Sequence, residues 1–279
     1  IFSWCRLRNV RKSVDFPVVR LGAEHLRTEV ARLRSRYAYL IFDVVDQDSL
    51  KTIANALCHL PVLGGSSALA EELPTTAKNG RIKNAGVLSS HDGMGTLCAA
   101  GSLMPQTKAQ IEYMRRKGAS VFELDTLQVL DDEQRFLVID GLCRSVRKVL
   151  ERGNDVVVHT SNDPAVVEQT RKLGQARGYS IAFVSRLVSE TLAEIVADSV
   201  EQLGLNRFVI AGGETSGAVC ARLGIEGMRV WREIEPGIPS CLSLGKTPLL
   251  LVLKSGSFGS PGFLEKAIAH LKGWGGASS

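Results

Sequence analysis

Three times in this chain an apolar run of strand length enters a loop of glycines and hydroxyls and leaves it as a helix. Phe208-Val209-Ile210-Ala211 enters Gly212-Gly213-Glu214-Thr215-Ser216-Gly217, and residues 218–223 read as the helix. Leu249-Leu250-Leu251-Val252-Leu253-Lys254 enters Ser255-Gly256-Ser257-Phe258-Gly259-Ser260, with a helical run over 263–271. Thr96-Leu97-Cys98-Ala99-Ala100 enters Gly101-Ser102-Leu103-Met104-Pro105-Gln106-Thr107, with a helix over 107–117. Strand patterns at 120–124 and 155–159 and helical patterns at 132–152 and 185–203 lie between them. Such alternation predicts α/β architecture with a largely parallel or mixed central sheet. If the strands are parallel, the three loops share one sheet edge. Open α/β sheets take their ligands at that carboxyl edge.

The loops have the chemistry of an anion site. Backbone N–H groups at a helix start lack intrahelical partners, and the helix dipole favours negative charge there. Glycine lets the backbone approach a phosphate closely and adopt positive φ. One such loop is often a plain connection, since fold alone does not carry function. Recurrence on three units points to phosphate or nucleotide binding.

At 279 residues one or two domains are expected. The chain is 44% hydrophobic and 23% charged, as ordinary globular proteins are. A net charge of +5 suits an anionic ligand. Nucleic-acid binding would call for a denser basic stripe and is not expected. The basic residues cluster at Arg6, Arg8, Arg11, Lys12, Arg20 and from Arg27 to Arg36, which reads as a solvated helix face. Six scattered cysteines show no C-x-x-C spacing, so neither a zinc nor a redox motif is read, and a reducing cytoplasm fits. No apolar run reaches the roughly 20 residues of a membrane span, and no secretory signal is read. The expectation is a cytoplasmic protein with no membrane partner. The chain starts at Ile1 rather than Met, which suggests a fragment or a processed product.

Residues 1–78 form a first block, 79–94 a turn-rich linker, and 95–279 a second domain. In the first block, 24–34 has helical spacing, with Leu26, Val30 and Leu33 on one side. A buried strand is expected at 39–45 and a helix at 48–58. Pro61-Val62-Leu63 reads as a strand entering Gly64-Gly65-Ser66-Ser67, with a helix after it at 68–73. In the second domain, Pro164 suits the first turn of a helix. Residues 225–248 break the alternation. Arg229 to Ile234 looks like a strand of alternating polarity and Glu235-Pro236-Gly237-Ile238-Pro239 like a rigid turn. That excursion is either a wall of the pocket or an edge hairpin.

These residues resemble a known family. Ala211 to Val219, Glu233 to Pro239 and Leu253 to Gly259 are similar to the nucleotide-binding domain of the four-carbon acid sugar kinases. Gly101 to Thr107 with Gln110 resembles the opening motif of that domain. Gly64-Gly65-Ser66-Ser67-Ala68-Leu69-Ala70 resembles the last motif of the family's first domain. The order and rough spacing of all five agree. The family's acidic Asp-Asp…Thr-Gly motif and its lysine-and-serine motif are not found, so the chain reads as starting about halfway through the first domain. Met104 stands where the family usually has a small hydroxyl residue.

The resemblance implies two three-layer α/β/α domains, the first incomplete, with the active site in a cleft between them. It implies ATP-dependent phosphorylation of threonate, erythronate or 3-oxo-tetronate to the 4-phosphate, a step of carbohydrate metabolism. It implies ATP contacts at Ser102, at Gly213, Glu214, Thr215 and Ser216, and at Gly256. Mg²⁺ is expected with the ATP, and Glu214 either helps to hold it or caps the following helix. Lys254 either neutralises phosphate charge or is simply solvated. Asp43, Asp46 and Asp48 surround a strand end, as substrate contacts, a base, or N-caps of the 48–58 helix. His91 and His159 lie near expected loops, and no nucleophile with a paired base is read. Neither a catalytic residue nor a metal ligand set is assigned, and oligomeric state is open, a homo-oligomer being one option. The alternative is a nucleotide-binding module without catalysis. A nicotinamide-dependent oxidoreductase ranks below both, because no loop carries the full G-x-G-x-x-G pattern.

Overall fold

A computed structural model describes residues 10–73, 93–245 and 248–273. The chain forms two compact units, Ile1–Lys83 and Asn84–Ser279. The expected linker at 79–94 lies, up to residue 92, outside the described residues, and so does His91.

In the first unit β1 (Arg11–Val14) leads through α1 (Phe16–Val19) and α2 (Ala23–Leu33) to β2 (Tyr39–Phe42). The two strands pair in parallel. Then come α3 (Gln47–Leu57) and α4 (Ser67–Glu72). Leu26, Val30 and Leu33 do form the inner stripe of α2, against Val14, Val19, Ile53, Ala56 and Leu57. Leu40 and Phe42 pack on this core, whereas Tyr39 and Ile41 stay exposed. Two expectations are corrected. Residues 61–63 form no strand, and β2 stops at Phe42, because the chain turns there toward the Asp46 cap of α3. β1 had no sequence signal, since Arg11-Lys12-Ser13 carries no apolar alternation.

The second unit runs β3 (Leu97–Ala100), α5 (Pro105–Arg116), β4 (Ser120–Leu124), α6 (Thr126–Val129), α7 (Asp132–Leu150), β5 (Val156–Thr160), α8 (Pro164–Ala176) and α9 (Ile181–Leu203). It continues with β6 (Arg207–Ala211), α10 (Gly213–Arg222), β7 (Met228–Glu235), β8 (Ile238–Ser243), β9 (Leu250–Lys254) and α11 (Phe263–Lys272). The seven strands form one mixed sheet in the order β4-β5-β3-β6-β9-β8-β7. The first five are parallel, and β8 runs antiparallel to β9 and β7. Each central strand is apolar on both faces, as a sheet covered on both sides must be. Leu97, Val158, Phe208, Ile210 and Leu251 face a core with α7, α9 and α10. Cys98, Val157, Val209 and Val252 face a second core with α5 and α11. This is a three-layer α/β/α arrangement. Among the described residues no helix is long and apolar enough to cross a membrane.

Local chemistry sets the helix ends. Asp131, Asp163 and Ser180 accept backbone N–H groups at the starts of α7, α8 and α9, and Pro164 occupies the first turn of α8 as expected. The excursion after α10 is the β7–β8 hairpin. β8 was hidden by its Pro239, which pairs with Glu233 of β7 but lies outside the stretch, Ser240–Leu242, that pairs with β9.

Glu235 at the hairpin end ties this edge to the loop before α11. It accepts from Ser260 N at 2.8 Å, Ser260 Oγ at 2.6 Å and Lys266 Nζ at 2.6 Å. Desolvation alone would push its carboxyl up, but the Lys266 ammonium and the Ser260 donors outweigh it and hold the group down at about 2. A depressed folded value means that the stabilisation is complete above the unfolded value near 4.5 and is lost as pH falls toward 2. Glu235→Gln is expected to cost roughly 1–3 kcal/mol at pH 7 and to flatten the acid limb between pH 5 and 2. Denaturant titrations of both proteins across that range measure it.

Candidate nucleotide-binding site

β3, β6 and β9 are neighbours in register, Ala100 opposite Ala211 and Ala211 opposite Lys254. Their carboxyl ends therefore lie side by side. The ladder runs one step further, with Gly101 N donating to Ala211 O at 3.0 Å and Gly212 N to Lys254 O at 2.9 Å. The loop after β3 leads to α5 on one face of the sheet, and the loop after β6 leads to α10 on the other. Adjacent parallel strands whose connections part to opposite faces open a crevice, the usual ligand position in such sheets.

The structure brings Ser102, Gly213, Glu214, Thr215, Ser216 and Gly256 to this one edge. Gly213 to Ser216 form the first turn of α10, and no side chain caps that turn. Its leading amides have no intrahelical acceptors. Gly212 has φ +123°, a region that disfavours a side chain, and a Cβ there would lie 3.3 Å from Ser102 N. A Cβ on buried Gly256 would overlap the Ser102 hydroxyl and the Met104 side chain. Both glycines are thus required by close packing between loops. The Ser216 hydroxyl oxygen is buried with no hydrogen-bond partner. Glu214 is exposed and makes no hydrogen bond or ion pair among the described residues.

Lys254 is not solvated. It is 3% exposed, and its ammonium donates to Thr107 Oγ1 at 3.1 Å and to Gly256 O at 3.5 Å. Thr107 Oγ1 in turn donates to Gly256 O at 2.8 Å. No carboxylate contacts this ammonium among the described residues, and burial pushes its pKa down to about 8. One lysine thus joins three loops, through its own carbonyl to Gly212 and through its side chain to α5 and the loop after β9. Thr107 and Gln110 belong to a motif legible in sequence, but their work was not. Gln110 Nε2 lies 3.0–3.1 Å from the carbonyls of Phe258, Gly259 and Ser260 and clamps the glycine loop from α5.

The other candidates have structural partners. Asp46 accepts from Ser49 Oγ at 2.5 Å and from Ser49 N at 2.8 Å and so caps α3, the hydroxyl bond first and the backbone bond second lowering its pKa. Asp43 accepts from Phe16 N at 3.3 Å, and Asp48 pairs with Lys51 at 3.3 Å. His159 is buried, with Nδ1 2.8 Å from Thr160 O and Nε2 without a partner. No cluster of three metal-ligating side chains occurs among the described residues.

A buried ammonium without a carboxylate costs stability while charged. With the folded value near 8 and the unfolded value at 10.5, the cost is complete below pH 8 and fades as pH rises to 10.5. Lys254→Met is expected to gain roughly 1–3 kcal/mol at pH 7, with the advantage shrinking over that range. Thermal melts of the two proteins at pH 7 and pH 10 test this.

The comparisons with known proteins fit this geometry. Residues 97–264 match the family described as nucleotide-binding C-terminal domain. A 3-oxo-tetronate kinase of Pseudomonas fluorescens is 33% identical over 256 residues, covering 90% of this chain and 56% of that protein. A 3-oxo-tetronate kinase of Burkholderia multivorans is 32% identical, covering 93% and 59%. A 3-oxo-isoapionate kinase of Paraburkholderia graminis is 33% identical over 171 residues, covering 59% and 36%. The chain therefore spans a little over half the length of the 3-oxo-tetronate kinases it matches. The crystal structure of Haemophilus influenzae protein HI1011 superposes with a TM-score of 0.67 at 27% identity, covering 95% of this chain and 61% of that one. A Salmonella typhimurium LT2 structure superposes with a TM-score of 0.74 at 24% identity, covering 94% and 60%, and so shares the fold. With a domain model matched across the whole three-loop edge, the chain belongs to the nucleotide-binding C-terminal domain family and to the four-carbon acid sugar kinases that it resembles.

Proposed function

We propose that this chain carries the ATP site of a kinase that phosphorylates a four-carbon sugar acid of the 3-oxo-tetronate, threonate or erythronate type, giving the 4-phosphate. The observation that carries the reading is the convergence of three Gly/Ser loops on one buried, carboxylate-free lysine. The names of the kinase relatives support the reaction class and the acceptor.

Each part has a role that its chemistry allows. The amides of Gly213, Glu214 and Thr215, at the positive end of α10, meet phosphate oxygens. The Ser102 and Ser216 hydroxyls donate further bonds, and Ser216 Oγ has no other partner to give up. Gly256 lets the loop after β9 lie directly against Ser102 and so holds that serine at the sheet edge. Lys254 supplies fixed positive charge from below, strengthened by its dry surroundings. Mg²⁺ takes one or two carboxylates and otherwise phosphate and water oxygens, so the unpartnered Glu214 is a sufficient protein ligand. Such a site does what phosphoryl transfer chiefly requires, which is to position the phosphates and offset their charge.

Calorimetric titration of the chain with Mg-ATP tests the reading. Saturable binding is expected, and Gly213→Asp, at a position open to a side chain, is expected to weaken it about a hundredfold, since like charges placed together cost several kcal/mol. Gly256→Asp is expected to abolish it by forcing Ser102 and the loop after β9 apart. Lys254→Met should weaken it while leaving the chain more heat-stable. A folded wild-type chain that binds no ATP overturns the proposal. Turnover is then assayed on the three four-carbon acids, and binding without turnover on any of them favours the module without catalysis.

A further inference from the structure

Thr107 stands in the first turn of α5, on a different element from the lysine it meets. It is fully buried, and its hydroxyl lies between Lys254 Nζ at 3.1 Å and Gly256 O at 2.8 Å. Chemistry fixes the direction of both bonds. An ammonium has three donors and no acceptor, so Thr107 Oγ1 accepts from it. The one hydroxyl hydrogen is then left for the Gly256 carbonyl.

Lys254 has little else to hold it. Its own bond to Gly256 O is 3.5 Å long, and no third acceptor meets it among the described residues. The titratable groups at this end of the neighbouring elements are turned elsewhere. Lys108 of α5 donates to Asn162 O, and Glu214 at the head of α10 is exposed. At the head of α11, Glu265 accepts from Tyr113 and Lys266 donates to Glu235 of the hairpin. β6 and β8 end here in Ala211 and Ile238, which do not titrate. Burial is the one cause that pushes the ammonium's pKa down, to about 8. With so few partners, a single well-placed acceptor weighs heavily in keeping the proton on Nζ.

We propose that Thr107 is a positioning residue for Lys254, its hydroxyl holding both the proton and the aim of that ammonium, so that anion binding at the three loops switches with this one charge. The proposal rests on the reading that the loops hold the phosphates of ATP. An anion favours the charged lysine. Affinity is therefore complete below pH 8 and is lost as pH rises above it, by about tenfold per unit. The terminal phosphate of ATP completes its own ionisation below that window, at about pH 6. Without the hydroxyl only the 3.5 Å bond remains, and the fall begins at a lower pH.

Calorimetric titration of the full chain with Mg-ATP from about pH 6.5 to about pH 9.5 tests this. Wild type should bind with level affinity up to about pH 8 and then lose roughly tenfold per unit. Thr107→Val should already be weakened roughly tenfold at pH 8, the least expected for losing a hydrogen bond to a charged group. Thr107→Ser, which keeps the hydroxyl, should return the wild-type profile. Lys254→Met should give a flat profile, and adding Thr107→Val to it should leave the profile flat. Should Thr107→Val not fold, Thr107→Ala carries the same test. Where binding by the variant is too weak to measure, the lysine Cε resonance that Lys254→Met removes can be titrated without ATP. A lower midpoint in the variant than in wild type supports the proposal, and an equal midpoint overturns it. A wild-type affinity that ignores pH sinks the proposal and leaves the ATP reading standing. So does a folded variant weakened by the same factor at every pH, which is what a merely structural hydroxyl would give. Wild type that binds no ATP at any pH removes the phosphate site and this role together.

Discussion

The candidate site depends on a contact between two loops that leaves no room for a side chain. Gly256 lies so close to Ser102 that a single added carbon would overlap the serine hydroxyl. That approach is possible because β3, β6 and β9 run parallel and in register, so that their ends arrive at one level. It is fixed from below by Lys254, whose ammonium reaches Thr107 and Gly256 O while its carbonyl accepts from Gly212 N. Remove the close approach and the loops separate into three ordinary strand-to-helix turns. The glycines matter here for the space they leave between loops as much as for their own torsions.

The electrostatics of this edge come from placement more than from composition. A net charge of +5 spread over 279 residues says little, and the densest basic stretch lies elsewhere, in the first unit. There Arg32 pairs with Glu29, and Arg27 donates to the Asn55 and Ala56 carbonyls near the end of α3. At the loops the positive potential comes from one buried ammonium and from the uncapped amides of α10. The ammonium is costly to leave without an anion, whereas the amides at exposed Gly213 and Glu214 are open to water. Keeping the ammonium lowers the stability of the free protein, the pattern expected where a site is organised ahead of its ligand.

The second domain was legible in sequence because its signals are local. Apolar runs, glycine loops and helical spacing gave the positions of β3, β5, β6, β9, α7 and α11 to within a few residues. The three loops were legible for the same reason, since each is one continuous stretch. What escaped was set by tertiary pairing. β1 is polar and β8 contains a proline, so neither reads as a strand until its partner is known. The expected strand at 61–63 failed from the other side, for Val62 is 83% exposed and has no neighbouring strand to make it one. Lys254 offered two readings from sequence, and only its burial decides between them.

The hairpin at 228–243 resolves an ambiguity that sequence left open between pocket wall and sheet edge. β7 is the edge strand, yet the hairpin still acts on the site. Glu235 grips Ser260 from one side of the loop that follows β9, and Gln110 holds the carbonyls of Phe258, Gly259 and Ser260 from the other. A loop built of serine and glycine has almost no side chain with which to fix itself. Its geometry has to be imposed by neighbours, and here they are a buried amide from α5 and a carboxylate from the hairpin. Because those two supports sit on different elements, loosening either one leaves the other to hold part of the loop. That arrangement explains why the segment joining β7 and β8 reads as a motif at all: Glu235 is needed at the loop, and Pro236-Gly237 turns the chain so that it gets there.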